Sequence, residues 1–290
     1  MKNIYSREYN NRSSKVATGF ACLGIIAATV AIQVILVIAI IIAILIMKAF
    51  SMHDLSNFKN VVTEMLSGSD FISKLTVLIT AISLVIALIL YYFIYVNKDK
   101  KKGIYESVLP KLKNMKVSGS VLCMTVAGFA LTSILAIFIS SVFPEQADKL
   151  NSTFSLFQLS GPLYYLDILL IGPVFEELVV RGIILKMSKR SFGMIGCMVI
   201  SAVSFSVIHG NIIQGFYVIP MGILYGFIAF QFNSVIPSIF CHMLHNLLAT
   251  VITWDGTIGI IIYTVLILIV GFLAYYLGRD HFPMFEQDES

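Results

Sequence analysis

Apolar residues fill eight long stretches of the chain, and polar residues gather between the stretches more than within them. They run over Val16 to Met47, Leu75 to Val96, Val117 to Phe143, Leu163 to Met187, Met194 to Ile213, Phe216 to Gln231, Val235 to Ile252 and Ile258 to Leu277. About 20 helical residues already cross a hydrocarbon layer of about 30 Å, so such runs are membrane spans and not core helices of a soluble domain. The pattern predicts an all-α, polytopic transmembrane bundle of about eight helices. The first run is too long for the apolar core of a signal peptide and ends without a small-residue cleavage site; it is expected to stay on as a tilted or protruding helix. The join "HGNIIQGF" between the fifth and sixth stretches fits either neighbour.

Composition agrees with this reading. Hydrophobic residues make up 58% of the 290 and charged ones 12%, about half the share of an ordinary soluble domain, and the mean hydropathy is +0.90. Basic residues then orient the bundle. Lys2, Arg7, Arg12 and Lys15 precede the first span, and Lys98, Lys100, Lys101, Lys102, Lys111, Lys113 and Lys116 crowd the connection between the second and third. These segments are cytoplasmic by the positive-inside rule. Lys186, Lys189, Arg190 and Arg279 fall on the same side if every span crosses once, which puts both termini in the cytoplasm. The other side carries Ser51 to Phe71 and the short connection "PEQADKLNST". The net charge of +4 thus reflects topology, and no nucleic-acid partner is expected. Cys22, Cys123, Cys197 and Cys241 all sit in apolar spans without paired spacing and read as unreactive thiols.

Against this background "PVFEELVVRG", Pro173 to Gly182, stands out. Each charge at the centre of a spanning helix costs about 2.5 to 3.5 kcal/mol, and Glu176, Glu177 and Arg181 lie together in the inner half of span four. Glu177 and Arg181 are four apart and can pair. Glu176 points about 100° away from Glu177. It is a surplus carboxylate that takes up a proton or faces water, and either state suits an acid/base catalyst. Pro173 removes a backbone hydrogen bond and can bend the helix there. A buried ion pair that fixes helix packing would account for these three residues alone.

Two further spans carry polar groups at helical spacing. "FSVIH" sets Phe205 and His209 four apart, and "HMLHN" sets His242 and Asn246 four apart with His245 to the side. An imidazole with a carboxylate can activate water, and an imidazole with an amide can donate hydrogen bonds to an oxyanion.

The ordered set EExxxR, FxxxH and HxxxN, each in an apolar helix, resembles the three motifs of the CPBP intramembrane proteases. This is the family of CAAX prenyl endopeptidases and bacteriocin-processing enzymes also called Abi. The motifs cover Glu176 to Asn246, and the N-terminal half matches only as hydrophobic helices. The resemblance implies that Glu176 and His209 activate the attacking water and that His242 and Asn246 form the oxyanion site. Glu177 and Arg181 would support the first helix by their ion pair, with Phe205 packed against the imidazole. It also implies a helical bundle around a central cavity open to the cytoplasmic side. Glu176 fits this, lying about 15 Å above the inner end of its helix. His209 lies further from the inner face, so span five must be tilted, start later or be broken for the two to meet.

Val180 stands where many relatives have an aromatic residue, which reads as a packing change. His245 is an extra imidazole, so Glu176, His209, His242 and His245 could supply zinc ligands. The chain holds no HExxH, and a glutamate-type site without metal or other cofactor is expected, although members of the family are often labelled metalloproteases. Gly222 and Gly226 form a small-xxx-small pair that reads as a packing face. Gln33 and Asp167 read as hydrogen-bonding groups between helices, Tyr91, Tyr92, Tyr95 and Trp254 as interfacial anchors, and "NST" at Asn151 as a chance match to a glycosylation acceptor.

The expected organisation is a cytoplasmic segment 1–15, N-terminal helices and loops 16–160, a protease-like core 161–278 and a cytoplasmic tail 279–290. The expected function is endopeptidase action on peptide or membrane-protein substrates near the cytoplasmic face of a bacterial cell membrane. Two other readings are carried: a bacteriocin-immunity or sensor-regulating protein that binds a sensor or receptor membrane protein, and a proton-coupled transporter with Glu176 and His209 as relay. The two matched halves with broken helices that a common transporter would show are absent from the sequence.

Overall fold

The computed structural model describes residues 14–51, 57–103, 107–158 and 161–282. Lys2, Arg7 and Arg12, residues 52–56 of the segment after the first span, and the acidic tail from residue 283 fall outside the described residues. Every regular element among the described residues is helical.

Helix α1 (Lys15–Ser51) buries only Thr18, Cys22 and Ile26, all in its first third. There it meets Ala87, Phe175 and Leu178 in one apolar cluster. After the short α2 (Phe58–Ser67), α3 starts at Ser69 and runs as an α-helix to Tyr91, through a π-turn over Tyr92–Val96 and on to Lys101. Helix α4 (Met115–Val142) is started by Asn114, whose side chain accepts hydrogen bonds from the backbone N–H groups of Lys116 and Val117. An asparagine oxygen there satisfies donors that the first turn leaves without partners.

The connection "PEQADKLNST" is not a loop. It forms α5 (Pro144–Gln158), because Ala147 and Leu150, three apart, give it a face to bury against the bundle. Asn151 is an exposed residue of this helix.

Helix α6 spans 162–188 and leaves α winding twice. It is π-helical over Asp167–Ile171, α-helical over Gly172–Glu177 and π-helical again over Leu178–Leu185. Residues 177–185 are all buried. Lys186 at its end pairs with Asp99 at the end of α3, Nζ to Oδ2 2.5 Å. Tyr95 and Tyr91 are not both interfacial anchors as expected: the Tyr95 hydroxyl donates to Ile183 O at 3.1 Å and Tyr95 is buried. The Tyr91 ring packs where a side chain at position 182 would have to go, 2.9 Å from a Cβ built on Gly182.

The fifth stretch ends earlier than the apolar pattern predicts. Helix α7 (Met194–Ile208) stops at a turn in which Gly210 takes φ +63°, a conformation open to glycine at little cost. Asn211 then caps α8 (Ile212–Tyr217), and α9 (Ile219–Phe232), with a proline in its first turn, runs back. Helix α10 (Ile236–Val251) and α11 (Gly256–Gly278) complete the bundle, α11 lying along α4 with Ser120 Oγ donating to Ala274 O. Among the described residues four helices, α1, α3, α4 and α11, are long and apolar enough to cross a membrane. The chain is an integral membrane protein built as a helical bundle. The four cysteines carry free thiols.

The packing role read for Gly222 and Gly226 holds. A Cβ on Gly222 would stand 2.6 Å from the Ala202 Cα, and one on Gly226 3.0 Å from Ser201 Oγ, so α7 and α9 meet backbone to backbone. Gly222→Leu is expected to force the helices apart at a cost of about 1–3 kcal/mol or more, read as a lower unfolding temperature of the purified protein. An unchanged temperature would show that this contact is not tight.

Candidate active site

The site is built where α6, α7, α9 and α10 come together. Glu177 is fully buried, and its Oε1 accepts from Arg181 Nη1 at 2.7 Å and from His242 Nδ1 at 3.2 Å. A carboxylate paired with a guanidinium only accepts, so the imidazole carries its hydrogen on Nδ1. Arg181 Nη2 donates to Gly222 O at 3.2 Å, and its guanidinium lies over the rings of Phe205 at 4.4 Å and Tyr225 at 5.3 Å. The close approach of α9 at Gly222 thus brings a carbonyl to the arginine. Val180, also fully buried, joins Phe205 and Tyr225 in the apolar cluster around this group.

Glu176 is less enclosed, with 24% of its side chain exposed. Its Oε2 is buried, makes no hydrogen bond and stands 3.9 Å from His242 Nε2. That separation is too long for a direct hydrogen bond and short enough for one bridging water. His242 therefore lies between the two glutamates, Nδ1 toward Glu177 and Nε2 toward Glu176.

The expected meeting of Glu176 with His209 is not seen; the imidazole beside Glu176 is that of His242. His209 caps the end of α7, and its Nδ1 lies 2.7 Å from Phe205 O. A carbonyl only accepts, so Nδ1 bears the hydrogen and Nε2 the lone pair. The Phe205 ring accounts for the separation, packing edge-on against His209 at 4.7 Å and against His242 at 5.4 Å. Span five breaks directly after His209; a tilt, a later start or a break was expected there as the means of bringing His209 to Glu176. A cavity of about 320 Å³ adjoins this turn between α7 and α8, lined by Ser206, Gly210, Ile212 and Phe216 among others.

Asn246 lies one turn after His242 on α10 but is bonded elsewhere, Nδ2 donating to Ile168 O at 2.7 Å. His245 turns away to the edge of Phe129, 5.7 Å between ring centres, and its buried Nδ1 makes no hydrogen bond. Glu176, His209, His242 and His245 do not gather as ligands: among the described residues no three or more His, Cys, Asp and Glu side chains are placed to hold a metal ion. The residues present do not fit a zinc centre of the three- or four-ligand kind.

Sequence reasoning gave Glu177 only its ion pair and missed its hold on His242, a contact between helices 65 residues apart that no local spacing encodes. It also missed Tyr225 beneath Arg181, one buried aromatic among many. The acceptor at Ile168 was not readable either: in α register the missing N–H of Pro173 would leave Leu169 O without a donor, and only π winding moves the vacancy to Ile168.

Comparison with known proteins converges on the same segment. Residues 158–248 match a family model described as Rce1-like, type II CAAX prenyl endopeptidase Rce1-like. No curated protein and no solved structure matches the chain. All three motifs, Glu176 to Asn246, lie inside the matched segment, and over residues 158–248 the chain is similar to the Rce1-like type II CAAX prenyl endopeptidases.

Proposed function

We propose that the chain is an intramembrane endopeptidase of glutamate type, cleaving peptides or the tails of membrane proteins near the cytoplasmic face. The observation that carries this is the clamped imidazole: Arg181 holds Glu177, Glu177 orients His242, and His242 Nε2 faces Glu176 across 3.9 Å. The side of the membrane follows from Lys186, Lys189 and Arg190 at the end of α6.

Charge counting gives the roles. Two carboxylates and one guanidinium leave one negative charge, so a single proton shared by Glu176 and His242 makes the cluster neutral, as an apolar interior favours. With that proton on His242, Glu176 is the base. The water oxygen attacks the peptide carbonyl carbon and its proton passes to Glu176, while His242 Nε2–H donates to the oxyanion. The C–N bond then breaks and Glu176 returns the proton to the leaving amine. His209, its Nδ1 hydrogen already given to Phe205 O, offers only a lone pair and so serves on the water's side of the reaction. A water bridge from Glu176 would bring it in.

The test compares membrane and secreted peptides from cells carrying the wild-type chain or Glu176→Gln at matched expression. A peptide made only by wild type supports proteolysis and names a substrate. Identical profiles, with a host phenotype that survives Glu176→Gln, favour the partner-binding reading. Prolonged chelation is expected to leave cleavage intact; loss of activity that zinc restores would overturn the metal-free mechanism.

A further inference from the structure

We propose that Asn246 is a positioning residue, whose amide holds a backbone carbonyl left without its own donor and thereby fixes α10 against α6. Helix α6 is π-wound just before the glutamates, and the N–H of Gly172 is taken by Asp167 O. That removes the usual α-helical donor of Ile168 O. The next backbone position in π register is Pro173, which has no N–H. Ile168 O is therefore orphaned by the π winding and Pro173 together, in a span where water is scarce and an unmet carbonyl is expensive. Asn246 Nδ2 fills the vacancy at 2.7 Å. Only the nitrogen end of the amide can face a carbonyl, so the orientation of the side chain is set by chemistry.

The position of this bond gives it consequence. Helices α6 and α10 are tied twice, by Asn246 to Ile168 and by His242 to Glu177. The ties are one turn apart on α10 and nine residues apart on α6, and the second sits next to Glu176. Two ties fix the register of the helices where one would leave them free to pivot. The gap of 3.9 Å between Glu176 and His242 is set by that register. One amide hydrogen of Asn246 is committed to the carbonyl, and what that bond gives the reaction is the fixed placement of the two helices.

Pro173→Ala supplies the missing N–H and should make Asn246 dispensable. The experiment purifies wild type, Asn246→Ala, Pro173→Ala and the double variant in lipid nanodiscs. It reads the unfolding temperature of each, and kcat and KM on a peptide from the comparison above. Asn246→Ala is expected to lower the unfolding temperature by about 2–4 °C in the wild-type background and by much less beside Ala at 173. Its kcat should fall by up to about 10²-fold, with KM little changed, and recover several-fold in the double variant. An equal drop in unfolding temperature in both backgrounds overturns the proposal. So does a kcat loss of about 10²–10³, the size expected of an oxyanion donor, that Pro173→Ala leaves untouched. The effect on kcat rests on the proteolytic reading and the temperature cycle does not: a wild-type chain that cleaves nothing, with the temperatures still coupled, removes that reading and leaves the clamp.

Discussion

Glu176→Gln is expected to lower peptide cleavage by about 10²–10⁴-fold, the usual share of a general base, while the protein inserts and unfolds at the wild-type temperature or above it. The two effects separate because of what Glu176 touches. Its Oε2 makes no hydrogen bond, so an amide of the same shape gives up no contact that holds the fold. The change also removes the surplus negative charge, and His242 no longer has to carry a proton for the cluster to be neutral. What the amide lacks is basicity, and water between positions 176 and 242 then has nowhere to send its proton. Cleavage rate and unfolding temperature measured on the same preparation check this. Unfolding in parallel with loss of activity would make Glu176 a structural residue, and full activity would move the base elsewhere.

Much of this site could be read from one dimension. Spacing of four residues put Glu177 beside Arg181 and Phe205 beside His209, and both contacts are present, because a helix fixes such pairs whatever surrounds it. The packing face at Gly222 and Gly226 was legible for the same reason. Contacts between helices were not. Whether Glu176 meets His209 or His242 depends on where α7 stops and on the bulk of Phe205, and apolar periodicity is silent on both. Winding was hidden too: the π-turns of α6 leave hydropathy unchanged, yet they decide which carbonyls lack donors. Amphipathic α5 was mistaken for a connection because its apolar residues are few; Ala147 and Leu150 suffice once there is a bundle to lie on.

The second large effect concerns the charges that the fold encloses completely. Arg181→Met should destabilise the protein by about 3–5 kcal/mol, since it leaves the Glu177 carboxylate buried without its counter-ion. Glu177→Leu should do the same by stranding the guanidinium, of which 2% of the residue is exposed. The double variant Glu177→Leu, Arg181→Met removes both charges and restores apolar volume, and such replacements are often neutral or stabilising. Its unfolding temperature should therefore return most of the way to wild type. Activity should not return with it. His242 Nδ1 has lost the acceptor at 3.2 Å that fixed its ring plane, so Nε2 is no longer held toward Glu176. Unfolding temperature and cleavage rate across the four proteins decide the matter. A double variant as unstable as either single change would mean that the pair does more than neutralise itself. One that is stable and active would mean that Glu177 does not orient the imidazole, and the charge relay from Arg181 to Glu176 would then have no part in catalysis.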